Sequence, residues 1–493
     1  MSVTAKSNGV NYLLLALIVL PSVFFTVFLA LTSENDITPP QFFCALILLM
    51  LPIHAYYKWR EEGRGGLPLL AMITIIYWLY YAFPLFWGDR DVLQADNNNR
   101  IVSSEAVTWS MVMVLLGVFS LLLGLRAGLG RKMVPRKLPY IQINQGRLNY
   151  IRCVLGFGAL LSIFGVSPYA LGEGGRQIIL TAVGIIPAIA FAILFRAYLR
   201  GEATRFDKLL VAFYLLIRFM TAISSGWLGM FVGVIIICAA IYLAERKKIP
   251  ALIVTVAIVA ILFFQVGKEE FRKTYWVSQT NAGNIEKIDF WINASVSKWG
   301  EALSDPSGQA IRSVTYPSVS RVALLTQTAN VMEMTPMVVP YQYGRLYTYI
   351  FISWIPRYFW PDKPSVSEAN QFYQVAYGLT TEEQLNTVGI AVGILAESFI
   401  SFGWIGVVAI MFLLGVFFDF YQHTFLSQAA GILMNGIGFV LLPQFLSIES
   451  QLAVYLSGIL QTLVLTFLVM LPIITFKRQA SQARQPQPVL MLR

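Results

Sequence analysis

Histidine, cysteine and charge are all scarce in this chain of 493 residues. The only histidines, His54 and His423, offer too little for a histidine-based metal site. Cys44, Cys153 and Cys238 all fall inside apolar runs, so neither a disulfide framework nor a metal-ligand spacing is present. Charged residues make up 13% of the chain and hydrophobic ones 57%, where a soluble domain has about 25% charged. That balance excludes the three soluble domains of about 150 residues that length alone would suggest. P-loop, GxSxG, HExxH and strand-linked GxGxxG motifs are absent, so the familiar nucleotide, serine-hydrolase and metalloprotease chemistries have no carrier. A formal net charge of +10 would suit nucleic acid, but the basic residues sit in short loops between apolar runs. We therefore expect no nucleic-acid partner, no metal and no cofactor.

What is present is a series of long apolar runs, near 11–31, 40–57, 67–87, 106–125, 149–168, 178–197, 208–225, 226–244 and 249–266. A mostly polar stretch, 267–386, follows. The chain then returns to apolar runs at 387–402, 403–419, 431–448 and 451–476. Runs of this length read as membrane helices. Loop charge orients them: Lys58, Arg60 and Arg64, the cluster from Arg126 to Arg152, Arg196 to Lys208, and Arg246 to Lys248 share one side with Lys6 and the basic tail. The alternate short loops carry only Arg90, Arg100 and Arg176. The positive-inside rule then makes both termini cytoplasmic and 267–386 external.

Thirteen full spans would put the basic tail outside. The weakest run, 387–402, is only about 24 Å long as a helix and carries Glu397, which a bilayer centre disfavours. It reads as a re-entrant or interfacial half-helix beside a wet, outward-facing cavity. The expectation is an all-α polytopic membrane protein of about twelve transmembrane helices, with a large external loop of short helices. Its parts are an N-terminal bundle of nine helices (1–266), the loop with its half-helix (267–402), C-terminal membrane helices (403–476) and a disordered basic tail (477–493).

Candidate chemistry rests on a few charges in costly places. Arg218 sits toward the outer end of a span; it either snorkels, pairs with a buried acid, or lines a cavity suited to phosphate. In the string IPRYFWPDKP, three prolines fix an extended backbone that presents Arg357 and Lys363 beside Tyr358, Phe359 and Trp360. That surface suits pyrophosphate and sugar, or lipid headgroups. Glu397 is the general-base candidate; its plainer role is an ion pair that ties the loop to the bundle. Arg272 stands eleven residues before Gly283, a spacing that chance easily supplies among loop arginines. Arg321 and Arg345 are further cation candidates, and Tyr341 to Trp360 is dense in aromatics, as interfaces and sugar platforms are.

In order, Arg321 in VSRV, GRLYTY, IPRYFWPDKP and NTVGIAVGILAESFISFGWIGV resemble bacterial surface-polysaccharide polymerases of the Wzy type, the O-antigen or oligosaccharide repeat unit polymerases. The resemblance covers roughly 310–415. Many relatives carry GSRG after the short turn, where SSGWLG here places Trp227 in the position of that arginine. The resemblance implies a metal-independent glycosyltransferase of the bacterial inner membrane. Its donor would be a glycan on undecaprenyl pyrophosphate and its acceptor a lipid-linked repeat unit, with a flippase and a chain-length regulator as partners. Arginines would neutralise the leaving pyrophosphate and a carboxylate would take the hydroxyl proton. A glycan ligase of related architecture and a lipid-linked oligosaccharide flippase or transporter remain the alternatives.

Overall fold

The computed structural model describes residues 12–33, 35–63, 66–87, 101–164, 179–277, 282–306, 309–353, 355, 359–360, 362–364, 368–385 and 390–478. Each apolar run is helical over most of its described residues. Counting helices of nine or more residues, these are α1 (Tyr12–Thr32), α2 (Pro39–Glu61), α3 (Leu69–Phe86), α4 (Ser104–Arg126), α5 (Gln145–Ile163), α6 (Thr181–Arg200), α7 (Arg205–Ser224), α8 (Leu228–Arg246) and α9 (Ala251–Arg272). The polar stretch contributes α10 (Asn284–Ser304), α11 (Gln309–Ser320), α12 (Leu324–Met334) and α13 (Glu368–Ala376), and no strand among its described residues. Then follow α14 (Ile394–Tyr421), α15 (Gly431–Phe445) and α16 (Leu452–Met470). Local chemistry sets the starts. Ser103 Oγ accepts from Ala106 N–H at 3.2 Å ahead of α4, and Thr204 and Asp207 form a capping box on α7.

Eight helices among the described residues are long and apolar enough to cross a membrane. The chain is an all-α membrane protein. The other runs expected to span are helical but fall short of that standard. The apolar described parts of α1 and α15 are Val19–Thr32 and Gly431–Phe445. Charge interrupts the rest: α5 carries Arg147 and Arg152, and α7 carries Arg205, Asp207, Lys208 and Arg218.

At the centre, α4 lies along α14 with glycines on both sides of the contact. A Cβ at Gly124 would run into the carbonyl oxygen of Phe412, and one at Gly415 into that of Leu121. Small residues let backbones approach this closely, which is how membrane helices gain packing without a solvent-driven force.

Helix α14 is broken. Phe402 (φ −142°, ψ 16°) and Gly403 (φ 62°, ψ −147°) leave helical geometry and separate a short arm, 394–401, from the long remainder. The break frees the carbonyls of Ile400 and Ser401, which accept from the N–H groups of Gln342 and Tyr343 at 2.9 Å each. The two residues just before GRLYTY are thus stitched to the break. The arm begins at Ile394 and not at 387, because Gly393 at φ 79° turns the chain just before it; 386–389 lie outside the described residues.

A second difference concerns the tail. Lys477 and Arg478, expected to be disordered, belong to the strand β2 (Thr475–Arg478), which pairs antiparallel with β1 (Lys137–Tyr140) in the register Lys137 to Arg478. Residues 479–493 lie outside the described ones. Three arginines of the basic clusters are tied down by buried acids. Arg152 holds Asp207 through two bonds of 2.7 and 2.9 Å. Glu245 takes both Arg196 and Arg200, and Arg196 also donates to Asn435 Oδ1 at 2.5 Å.

Candidate functional site

Helix α9 continues past Arg272 as a wide π-helical turn, Lys273–Val277. A cavity of about 570 Å³ opens there, walled by α9, α10 and α11. Lys268 and Arg272 are four residues apart, so they share one helix face. Arg321, just past α11, joins them from the opposite wall. Lys273 and Lys298 line the same cavity and are held by Glu269 (2.6 Å) and Glu270 (3.0 Å). Arg321 stands close enough for its charge to oppose those of both Lys268 and Arg272. Five basic residues line the space against two acids, Glu269 and Glu301, a balance that favours an anion in it.

Each of the two arginines is held differently. The Arg272 guanidinium lies 4.3 Å from the ring centre of Trp276, and its buried Nε has no hydrogen-bond partner among the described residues. Trp276 donates its ring N–H to Ser225 O at 3.2 Å and packs on Trp227, with ring centres 5.7 Å apart. A cation beside the short turn is therefore Arg272 from α9, stacked through tryptophans. Arg321 grips Glu449 with two parallel bonds of 2.7 and 2.8 Å. Its side chain is 59% exposed, and a pair that wet contributes at most about 1 kcal/mol. An incoming anion can exchange for it.

Glu397 is completely buried, which corrects the expected wet surroundings. Its Oε2 accepts the Leu452 N–H at 2.7 Å, the first free amide of α16. A carboxylate there meets both an orphan donor and the positive end of the helix dipole. Its Oε1 has no partner among the described residues. Next to it, Tyr347 reaches Ser398 Oγ at 3.4 Å. Burial first, and the nearby Glu397 second, push that phenol well above its ordinary pKa.

The connector between α15 and α16 joins the two places. Glu449 holds Arg321, and three residues on, Leu452 N–H holds Glu397. Ile448 O also accepts from Ile394 N–H at 3.3 Å, where the α14 arm begins. One short segment thus touches both the cation cavity and the arm.

The remaining candidates are dispersed. Arg218 lines a different cavity, between α6, α7, α8 and α15, which shares no residue with the first. Arg345 lies over Phe372 at 5.4 Å and is exposed. Lys363 turns inward, 7% exposed, and donates to Ile355 O at 2.8 Å. It fastens the proline-rich turn; the sequence suggested a surface cation. Trp360 is 39% exposed beside it. Arg357 and Tyr358 lie outside the described residues, and so does the expected pairing of Arg357 with Glu397.

Sequence reasoning undervalued Arg272 and missed Lys268, Trp276 and Glu449. The four-residue spacing of Lys268 and Arg272 at the end of an apolar run was the available signal.

A family model described as Domain of unknown function (DUF8712) matches residues 153–475. No curated protein and no solved structure matches.

Proposed function

The chain belongs to the DUF8712 family, and we propose that it polymerises a bacterial surface polysaccharide by transferring a glycan from polyprenyl pyrophosphate to a lipid-linked repeat unit. The observation that carries this reading is the cavity shared by Lys268, Arg272 and Arg321 at the end of a membrane helix. The string resemblance over 310–415 supplies the substrate class. In the reaction, the bond from the donor sugar C1 to the pyrophosphate oxygen breaks. A bond from C1 to the acceptor hydroxyl oxygen forms. The hydroxyl proton goes to a carboxylate, and the leaving pyrophosphate keeps the electron pair under the three cations. Arginine forks match such oxygens bidentately, and fixed charges at a developing anion lower the barrier.

Glu397 is the proton acceptor in this reading, and its unpartnered Oε1 supports the role. Its cap on α16 must loosen for the acid to meet a hydroxyl, and the joint at 402–403 gives the arm a place to move. We further infer twelve spans, with the four weaker apolar helices completing the eight strong ones, both termini cytoplasmic and 267–386 outside. The pairing of β1 with β2 supports this, since it sets the tail beside a basic loop.

The test is chain growth in proteoliposomes supplied with a polyprenyl-pyrophosphate oligosaccharide. The double variant Lys268→Ala/Arg272→Ala should reduce extension by about 10²-fold or more. Undiminished polymer from that variant, or none from the parent protein with any lipid-linked oligosaccharide, rejects the reading.

A further inference from the structure

The second cavity, about 450 Å³, has walls almost wholly apolar and two polar groups. Tyr214 is 1% exposed and its hydroxyl has no hydrogen-bond partner among the described residues. The Nε of Arg218, one helical turn further along α7, is likewise buried and without one. One guanidinium N–H and a phenol left without partners in an apolar wall are costly unless something polar comes within reach. Both residues line one space, and the guanidinium asks for a negative group in it.

The walls show where the rest of such a ligand would go. Gly229 and Gly233 are four apart on α8, so they form one strip, and Gly184 faces them from α6. A Cβ added at any of the three meets no atom within 4 Å. These glycines leave room; they do not serve close helix contact as Gly124 and Gly415 do. Pro187 has no N–H to donate, and the π turn Thr181–Ile185 just before it widens that wall. Met230 lines the cavity and is 41% exposed, so the space reaches the outer surface of the bundle.

We propose that this cavity binds one lipid phosphate, its phosphate on Arg218 and Tyr214 and its hydrocarbon chain along Gly229 and Gly233. The site is independent of the glycan-transfer reading, because it shares no residue with the cation cavity. Two sources carry this chemistry, a polyprenyl monophosphate and an anionic glycerophospholipid.

Native mass spectrometry of the full chain, purified in uncharged detergent, separates the outcomes. The chain is titrated with polyprenyl monophosphate, phosphatidylglycerol or phosphatidylcholine. One anionic lipid should be retained, while phosphatidylcholine should bind at least 10-fold more weakly. Which of the two anionic lipids binds at lower concentration identifies the source. Gly233→Leu fills open space in a helix that favours leucine over glycine, so it should fold and lose that one lipid. Arg218→Leu should lose the anion preference, and Arg218→Lys should keep part of it. Lys268→Ala/Arg272→Ala should leave this lipid bound, whatever it does to glycan transfer. Equal retention by the parent protein and Gly233→Leu, or equal binding of phosphatidylcholine, overturns the proposal.

Discussion

At the scale of single residues, the chain spends charge sparingly, and several of its buried charges are paired with one another. Glu245 is the clearest case: it answers both Arg196 and Arg200 between α6 and α8. Removing one member of a buried pair leaves the other desolvated. Glu245→Gln should therefore cost about 3–5 kcal/mol, read as a fall in the unfolding midpoint in detergent. A variant as stable as the parent would show that the arginines find water instead. Glu397 asks a finer question, since its carboxylate both caps α16 and is a candidate base. Gln keeps an oxygen for Leu452 N–H but loses the charge and the proton affinity. Glu397→Gln should fold, retain bound lipid pyrophosphate and lose about 10²–10⁴ in the rate of chain growth. Normal-length polymer from this variant would leave only the capping role. That Glu397 is a charge in an unusual place was legible from an acid in an apolar run; that its partner is a backbone amide from 55 residues away was not, because a carboxylate in a sequence does not announce which helix end it will meet.

At the scale of elements, hydropathy located every helix of the bundle, because period and run length are local properties. It also indicated a short arm before the long part of α14, from its length and its single acid. The arm's limits were set by two glycines, Gly393 and Gly403, both at positive φ, and a glycine's backbone conformation is not written in the residue itself. Gly403 adopts φ 62° and ψ −147°, a combination nearly closed to residues with a Cβ. Gly403→Ala should lower stability by about 1–3 kcal/mol and loosen the contact with Tyr341, whose hydroxyl lies 3.1 Å from where the new Cβ would stand. Faster amide exchange at Gln342 and Tyr343 would report it, since their N–H groups close the break. Unchanged exchange would mean that the break tolerates a side chain. Lys363 shows the opposite error of reading. Among prolines and aromatics a lysine looks presented to a ligand, yet a long flexible stem lets it fold back on its own turn.

At the scale of the whole molecule, the question is which face is which, and two independent observations bear on it. One is the distribution of Lys and Arg, crowded into alternate short loops. The other is the antiparallel ladder between 137–140 and 475–478, which puts the end of the described chain beside the most basic of those loops. The ladder was invisible to hydropathy, since each strand is four residues and the two lie far apart in the chain. If α4 leaves its basic loop on the inner side, the tail must lie inside too, and an even number of crossings is required. The cation cavity belongs to 265–321, at the far end of α9 from the basic turn at Arg246 to Lys248. With the termini inside as proposed, it would open on the outer side, where a lipid-linked glycan would be met after export. A cysteine introduced at Ser297 should react with a membrane-impermeant maleimide in intact spheroplasts, while one introduced at Ser481 should react only after permeabilisation. The native Cys44, Cys153 and Cys238 are replaced first. Labelling of the tail without labelling of the loop would invert the molecule, and the cavity would then face the cytoplasm, where an exported glycan could not reach it.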